Sequence, residues 1–223
     1  MRINKFIAQS TGLSRRKADE VIESGNVTIN GKQAALGSEV GPRDKVTLNG
    51  QPVSGQNQTT TIILNKPVGY ICSRDGQGAQ TIYDLLPKKY HHLKPVGRLD
   101  KDSSGLLLLT NDGDLAHKLT HPKFHKIKVY EIKLNKSLDP ADREKITQTG
   151  VRLKDGISKF ELNWMEKDNK GKVTKWMATL YEGRNRQIRR TFVEVGYQVA
   201  TLNRIKFGPY NISEINTGDF QQV

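Results

Sequence analysis

Apolar residues at helical spacing open the chain, with Ile3, Phe6 and Ile7 on one face and then Ser14 as the N-cap of a second helix that turns Ala18, Val21 and Ile22 inward. Two short alternating stretches follow, "NVTING" and "KVTLNG", and each ends in the Asn-Gly dipeptide that predicts a tight hairpin. The polar run "NGQPVSGQNQTT" reads as a linker over 51–60. Beyond it, "TIILNKPVGY" predicts a strand stopped by Pro67 and Gly69. Leu106–Thr110, between a Gly and an Asn-Asp-Gly turn, predicts a buried strand, and Leu115, Ala116 and Leu119 predict a short helix after it, capped by Asp112 or Asp114. "KIKVYEIKL" reads as a strand alternating from Ile127 to Leu134, with one apolar face and one basic-aromatic face carrying Lys126, Lys128 and Tyr130. "KWMATLY" predicts another strand, and "QIRRTFVEV" a helix with Ile188, Phe192 and Val195 inward. Strands outnumber helices and are mostly amphipathic, so the expected class is α+β on a mostly antiparallel, mixed sheet. Its expected organisation is a small domain over 1–50, the linker, and a larger domain over 61–223.

Charge narrows the choice of partner. The chain carries 36 Lys+Arg against 23 Asp+Glu, a formal net charge of +13, which favours a polyanion. Nucleic acid is preferred to a membrane, because no apolar stretch approaches ~18 residues and Met1 to Leu13 lacks the pattern of a signal peptide. The excess falls in both parts, with 8 basic and 5 acidic residues in 1–60 and 28 and 18 in 61–223. Cys72, the single cysteine, permits neither an internal disulfide nor a cysteine zinc site, so a reducing, cytoplasmic location is expected.

Against that basic background, "GRLDKDSSGLLLLTNDGDL" gathers four aspartates, Asp100, Asp102, Asp112 and Asp114, around a run of leucines. A calcium loop begins this way, but Leu106, Leu108 and Asn111 stand where later ligands are required. Capping accounts for Asp112 and Asp114, and Asp102 reads as a loop carboxylate. Asp100 precedes the strand beside Arg98 and Lys101, where a loop residue can face a cleft. His117 and His121 are four apart, yet Lys118 follows the first in place of Glu and Pro122 ends the helix, so no metal site is expected. Arg15, Arg16 and Lys17 occupy the first turn of the second helix, where the helix dipole disfavours cations; their expected use is a phosphate-contacting patch. "EGRNRQIRR" crowds Arg184, Arg186, Arg189 and Arg190 at a loop entering a helix. Four guanidiniums so close need anions to share, with Asp100 as internal candidate and RNA phosphates as external ones.

The first segment, "INKFIAQSTGLSRRKADEVIESGNVTINGK", resembles an S4 RNA-binding domain. "LNKPVGYICS", "VGRLDKDSSGLLLLTNDGDLAHKLTHP", "KVYEIKL", "EGRNRQIRR" and "VATLNRIKFG" resemble, in order and approximate spacing, the RsuA-type pseudouridine synthases with an N-terminal S4 domain. The resemblance implies isomerisation of uridine in ribosomal RNA, without a cofactor or metal, by a chain acting as a monomer. It implies Asp100 as the catalytic aspartate, Arg189 as the arginine paired with it, and Tyr130 as the ring stacked on the base. It further implies Leu202 in the uracil pocket and Arg98 filling the gap left by an extruded base. The wording of "EGRNRQIRR" and "SRRKADEVIESG" leans to the large-subunit RluB/RluF branch, and so to 23S rRNA.

Three other readings remain open on the residues: the same reaction on 16S rRNA, a non-catalytic S4-containing assembly protein, and a glycosylase that releases free base. The second gives Asp100 no use, and the third changes the mass of the nucleotide.

Overall fold

Both Asn-Gly dipeptides turn hairpins, with Asn30 and Gly31 at φ 51° and 78° and Asn49 and Gly50 at 52° and 74°. Two consecutive left-handed residues make the turn whose twist matches that of paired strands. In the computed structural model, which describes residues 1–53, 58–167 and 173–223, the chain divides into two compact units, Met1–Thr60 and Thr61–Val223. Among the described residues no helix is long and apolar enough to cross a membrane.

The first unit has helices α1 (Ile3–Thr11) and α2 (Arg15–Glu23) and strands β1 (Val27–Ile29), β2 (Lys32–Gln33), β3 (Val46–Leu48) and β4 (Gln51–Val53), in sheet order β2-β1-β3-β4. Ser14 caps α2 by accepting from the Lys17 N–H at 3.1 Å, and Ile3, Ile7, Ala18 and Ile22 are buried together. Composition placed the start of the linker at residue 51; the structure moves it, because Gln51–Val53 returns through the Asn49-Gly50 turn to pair with Val46–Leu48. The centre of that proposed linker, residues 54–57, lies outside the described residues.

The second unit is built on a nine-stranded sheet. Its strands include β5 (Thr61–Lys66), β6 (Lys94–Pro95), β7 (Ser104–Thr110), β8 (Lys128–Leu134) and, after the small hairpin β9 (Val151–Leu153) and β10 (Gly156–Ser158), β11 (Glu161–Lys167) and β12 (Val173–Leu180). Strands β13 (Val199–Phe207), β14 (Tyr210–Asn211) and β15 (Phe220–Gln222) complete it, in the order β11-β12-β8-β13-β7-β5-β15 with β14 beside β13 and β6 beside β7. Helices α3 (Gly113–Thr120), α4 (Pro140–Glu144) and α5 (Gln187–Glu194) lie between strands in the chain. Asp112 caps α3 by accepting from the Asp114 and Leu115 N–H groups at 2.8 and 3.1 Å.

Among the described residues the strand pairs of this sheet are antiparallel except β7 with β13. The leucine run is buried on both faces of the sheet: Leu107 and Leu109 join one core, Leu106 and Leu108 another. Each such leucine contributes roughly 1.5–3 kcal/mol of burial. At the parallel pairing Gly105 has φ 103°, and a Cβ there would lie 2.3 Å from the Arg204 carbonyl oxygen. Only glycine lets β13 approach so closely, and that approach positions the loop entering β7.

The expected division of β8 into an apolar and a basic-aromatic face is corrected. Ile132 and Leu134 are buried on the same side of the strand as Lys128 and Tyr130, while Val129 is buried on the other. The apolar phase switches near Tyr130 because this ring packs against two cores at once, and neither face is polar throughout.

Candidate active site

A cleft of about 460 Å³ is lined by Arg98, Leu99, Asp100, Ser103, Lys126, Lys128, Tyr130, Arg184, Arg186, Leu202, Arg204 and Phe207, among others. Asp100 stands on the loop between β6 and β7 with its side chain 33% exposed, buried enough to sense its neighbours and open enough to meet a ligand.

That loop is held by its backbone. The Asp100 carbonyl accepts from Lys66 Nζ at 3.1 Å and from the Ser103 N–H at 3.1 Å, and the Lys101 carbonyl accepts from the Gly69 N–H at 2.8 Å. The Asp102 carbonyl accepts from Arg189 Nη2 at 2.7 Å, and the Ser103 carbonyl from Lys66 Nζ at 2.7 Å. Four consecutive carbonyls are thus fixed by donors from β5, its following loop, α5 and the turn itself. On the approach to the loop, Cys72 Sγ lies 3.3 Å from the Leu99 carbonyl and 3.4 Å from the Leu99 N–H.

Sequence reasoning assigned Lys66 no role. It is fully buried, and its ammonium also donates to the Pro67 carbonyl at 3.0 Å. Burial lowers its pKa below the ordinary lysine range, while the Cys72, Asp100 and Asp102 groups act in the opposite direction.

The arginine cluster finds its anions, but with different pairings from those expected. Arg189 does not lie against the Asp100 carboxylate. Its Nη1 donates to the Val199 carbonyl at 2.8 Å and its Nη2 to Asp102, and its Nε sits 3.2 Å from Asp102 Oδ2 without hydrogen-bond geometry. The guanidinium beside Asp100 belongs to Arg186, at 3.5 Å. Arg186 also grips Asp102 with both prongs, at 3.0 and 2.9 Å, from a left-handed backbone with φ 46°. Those bonds hold the Asp102 carboxyl below its ordinary range despite partial burial. Asp102 is therefore the anchor of the cluster, a role that its position as a loop carboxylate did not suggest.

Arg184 and Arg190, expected as RNA contacts, have partners within the chain. Arg190 holds Asp155 with two prongs at 3.0 and 2.7 Å, and Arg184 bonds the Asp155 and Ile157 carbonyls at 3.1 and 2.9 Å. Nothing local in the sequence singled out Asp155. In the first unit Arg15, Arg16 and Lys17 are exposed as expected, with Lys17 ion-paired to Glu20 at 2.6 Å. A surface pair of this kind is worth little and yields readily to a phosphate.

Tyr130 and Leu202 line the cleft with Asp100, and Leu202 also packs into the core behind them. Arg98 is exposed at the rim and forms no ion pair with the described residues. Two further cations line the cleft, Arg204, which sequence reasoning missed, and Lys128. Arg204 is buried, donates through Nε to the Leu106 carbonyl at 2.8 Å and lies 4.8 Å from the Phe207 ring centroid. Lys128 Nζ lies 5.4 Å from the same ring, and burial together with Arg204 lowers its pKa. The cleft therefore combines the Asp100 carboxylate, with Glu182 also in the lining, with a cationic wall and an aromatic-aliphatic wall, which suits a planar, carbonyl-bearing base on an anionic backbone.

Comparison with known proteins agrees with this chemistry. Residues 60–194 match the RNA pseudouridylate synthase family and residues 1–46 match the S4 domain. The chain is 36% identical to ribosomal large subunit pseudouridine synthase B of Bacillus subtilis (strain 168), over 100% of this chain and 91% of that protein. It is also 36% identical to the dual-specificity RNA pseudouridine synthase RluF of Escherichia coli (strain K12), over 100% of this chain and 75% of that protein. A crystal structure of a pseudouridylate synthase superposes with a TM-score of 0.69 at 27% identity, covering 100% of this chain and 96% of that one.

Proposed function

Because the chain belongs to the RNA pseudouridylate synthase family, we propose that it converts a specific uridine of large-subunit ribosomal RNA to pseudouridine, with Asp100 as the catalytic carboxylate. The name of the Bacillus subtilis relative supports ribosomal RNA and its large subunit, and that of the Escherichia coli relative supports RNA as the substrate. Ribosomal RNA as substrate goes with a cytoplasmic location.

The observation that carries this reading is that Asp100 lines one cleft together with Tyr130 and Leu202, on a loop whose four carbonyls are fixed. The isomerisation breaks the N1–C1′ bond, turns the uracil while it is held, and forms the C5–C1′ bond, after which C5 loses its proton and N1 carries one. Nothing enters or leaves but protons exchanged with solvent. A carboxylate is needed to attack C1′ or to take the 2′ proton, and Asp100 supplies it. Tyr130 stacks on the base, Leu202 covers its edge and Arg98 occupies the place of the extruded base, whose removal from the helix costs a few kcal/mol. The Arg186 guanidinium stands 3.5 Å from the Asp100 carboxylate while making its two bonds to Asp102.

Release of tritium from ribosomal RNA labelled at uridine C5, with unchanged nucleotide mass, tests the reaction. Release of free uracil, or RNA binding without tritium release, would overturn it in favour of a glycosylase or an assembly protein.

Arg189 acts in this scheme as a positioning residue, since it bonds the loop beside Asp100. Arg189→Lys keeps the charge but cannot bridge the Asp102 and Val199 carbonyls with a rigid fork. Single-turnover rates should fall at least ~10-fold, as expected when a reacting group loses fixed geometry, while the RNA binding isotherm at the same salt changes little. Equal losses in rate and affinity would identify Arg189 as a phosphate contact instead.

A further inference from the structure

The stretch that runs from α3 into β8 has an unusual composition, and most of it has no role in the Asp100 and Arg186 constellation. From Leu115 to Tyr130 the chain has no Asp or Glu, and carries Lys118, Lys123, Lys126 and Lys128 together with His117, His121 and His125, three of its five histidines. An ordinary solvated face mixes both signs of charge; this one does not.

Three rings of the segment form a cluster at the surface. His117 and His121 are exposed and Phe124 is half-buried. Their centroids are 4.8 Å apart for His117 and His121, 5.8 Å for His117 and Phe124, and 6.2 Å for His121 and Phe124, with interplanar angles of 59°, 90° and 73°. No pair is stacked face to face; the rings meet tilted or edge to face. Local chemistry holds the arrangement: Pro122 starts a short turn of helix, His121 Nδ1 accepts from the Lys123 N–H at 3.2 Å, and His125 at φ 43° sends the chain into β8. Lys123 Nζ lies 4.8 Å from the Phe124 centroid.

The cluster is continuous with the cleft, since Thr120, His121, Pro122 and Lys126 line it together with Asp100 and Tyr130. On that side the segment offers rings and lysines, and the acids that line the cleft, Asp100 and Glu182, lie outside it. A nucleic acid strand matches both features, with a flat π-face on every base and a negative charge on every linkage.

We propose that the rim formed by His117, His121 and Phe124 binds the single-stranded nucleotides flanking the base held in the cleft, stacking a base on the rings while Lys123 and Lys126 face adjacent phosphates. This rests on the reading that the cleft receives an extruded uridine.

The test uses full-length protein and a short single-stranded oligouridylate carrying one 2-aminopurine, whose fluorescence is quenched on stacking. Phe124→Ala and the double variant His117→Ala with His121→Ala should each weaken binding about tenfold, the scale of one lost base stack, and relieve the quenching. Phe124→Tyr should retain both. Lys123→Ala with Lys126→Ala should leave the quenching and lower the log–log salt slope by about one or more. Unchanged affinity and quenching in the alanine variants would overturn the proposal, as would a Phe124→Tyr variant as impaired as Phe124→Ala, which would mark a packing role. Because the readout is binding, a wild type that quenches the probe but releases no tritium from ribosomal RNA would sink the isomerase reading alone, and normal tritium release with unaltered quenching in the variants would sink the rim alone.

Discussion

An Asp100→Asn variant is expected to bind ribosomal RNA with close to wild-type affinity and to form pseudouridine at least ~10³-fold more slowly, the scale on which a positioned acid, base or nucleophile contributes. The substitution is nearly isosteric and the loop should not move, because the contacts that hold it are made by the backbone of residues 100–103 rather than by the Asp100 carboxylate. Arg186 loses a neighbour at 3.5 Å but keeps its two bonds to Asp102. Loss of chemistry without loss of binding is therefore the signature, read from single-turnover tritium release beside a binding isotherm on the same RNA. Turnover within tenfold of wild type would remove Asp100 from the chemistry and direct attention to Asp102, the other carboxylate on the loop.

The largest effect on stability is expected at Lys66. Lys66→Met fills much of the same space but removes the donor shared by the Pro67, Asp100 and Ser103 carbonyls. Of these, Asp100 keeps the Ser103 N–H. Losing charged hydrogen bonds and leaving buried acceptors unpaired should cost roughly 2–4 kcal/mol, on the order of 10 °C in Tm for a unit of this size. Turnover should fall by about 10²-fold in the fraction that remains folded, because Asp100 is no longer held in place.

The pH dependence of the difference between wild type and variant gives a second measure. Burial lowers the Lys66 pKa in the folded protein, so between that value and the ordinary 10.5 the unfolded chain binds more protons than the folded one. Wild-type stability therefore gains from Lys66 as pH rises through that window, and Lys66→Met lacks the gain. Denaturant titrations of both proteins at neutral and alkaline pH check the slope. Equal slopes and a loss below 1 kcal/mol would mean that the ammonium is solvated and does not hold the loop.

Much of this protein is legible from its residues alone because the forces concerned act over a few positions. Asn30-Gly31 and Asn49-Gly50 turn hairpins through their own backbone preferences, Ser14 and Asp112 cap the helices they precede, and Leu106 to Leu109 require burial wherever the strand lies. The same holds for the α+β class and for the candidacy of Asp100 at the end of a loop. What sequence reasoning misassigned depends on which distant groups meet. Arg186 reaches Asp102 across 84 positions and Arg190 reaches Asp155 across 35, and Lys66 joins Ser103 across 37. The meetings on the Asp100 loop depend on the register of β5, β7 and β13, in particular on the close parallel approach that Gly105 permits, and that of Arg190 with Asp155 depends on α5 lying against the β9-β10 hairpin. The phase change at Tyr130 has the same origin, since one ring at the junction of two cores obeys both and matches neither period. A pattern along one strand states which side chains prefer burial; only the assembled sheet decides which carboxylate each guanidinium meets and which carbonyls a buried ammonium must satisfy.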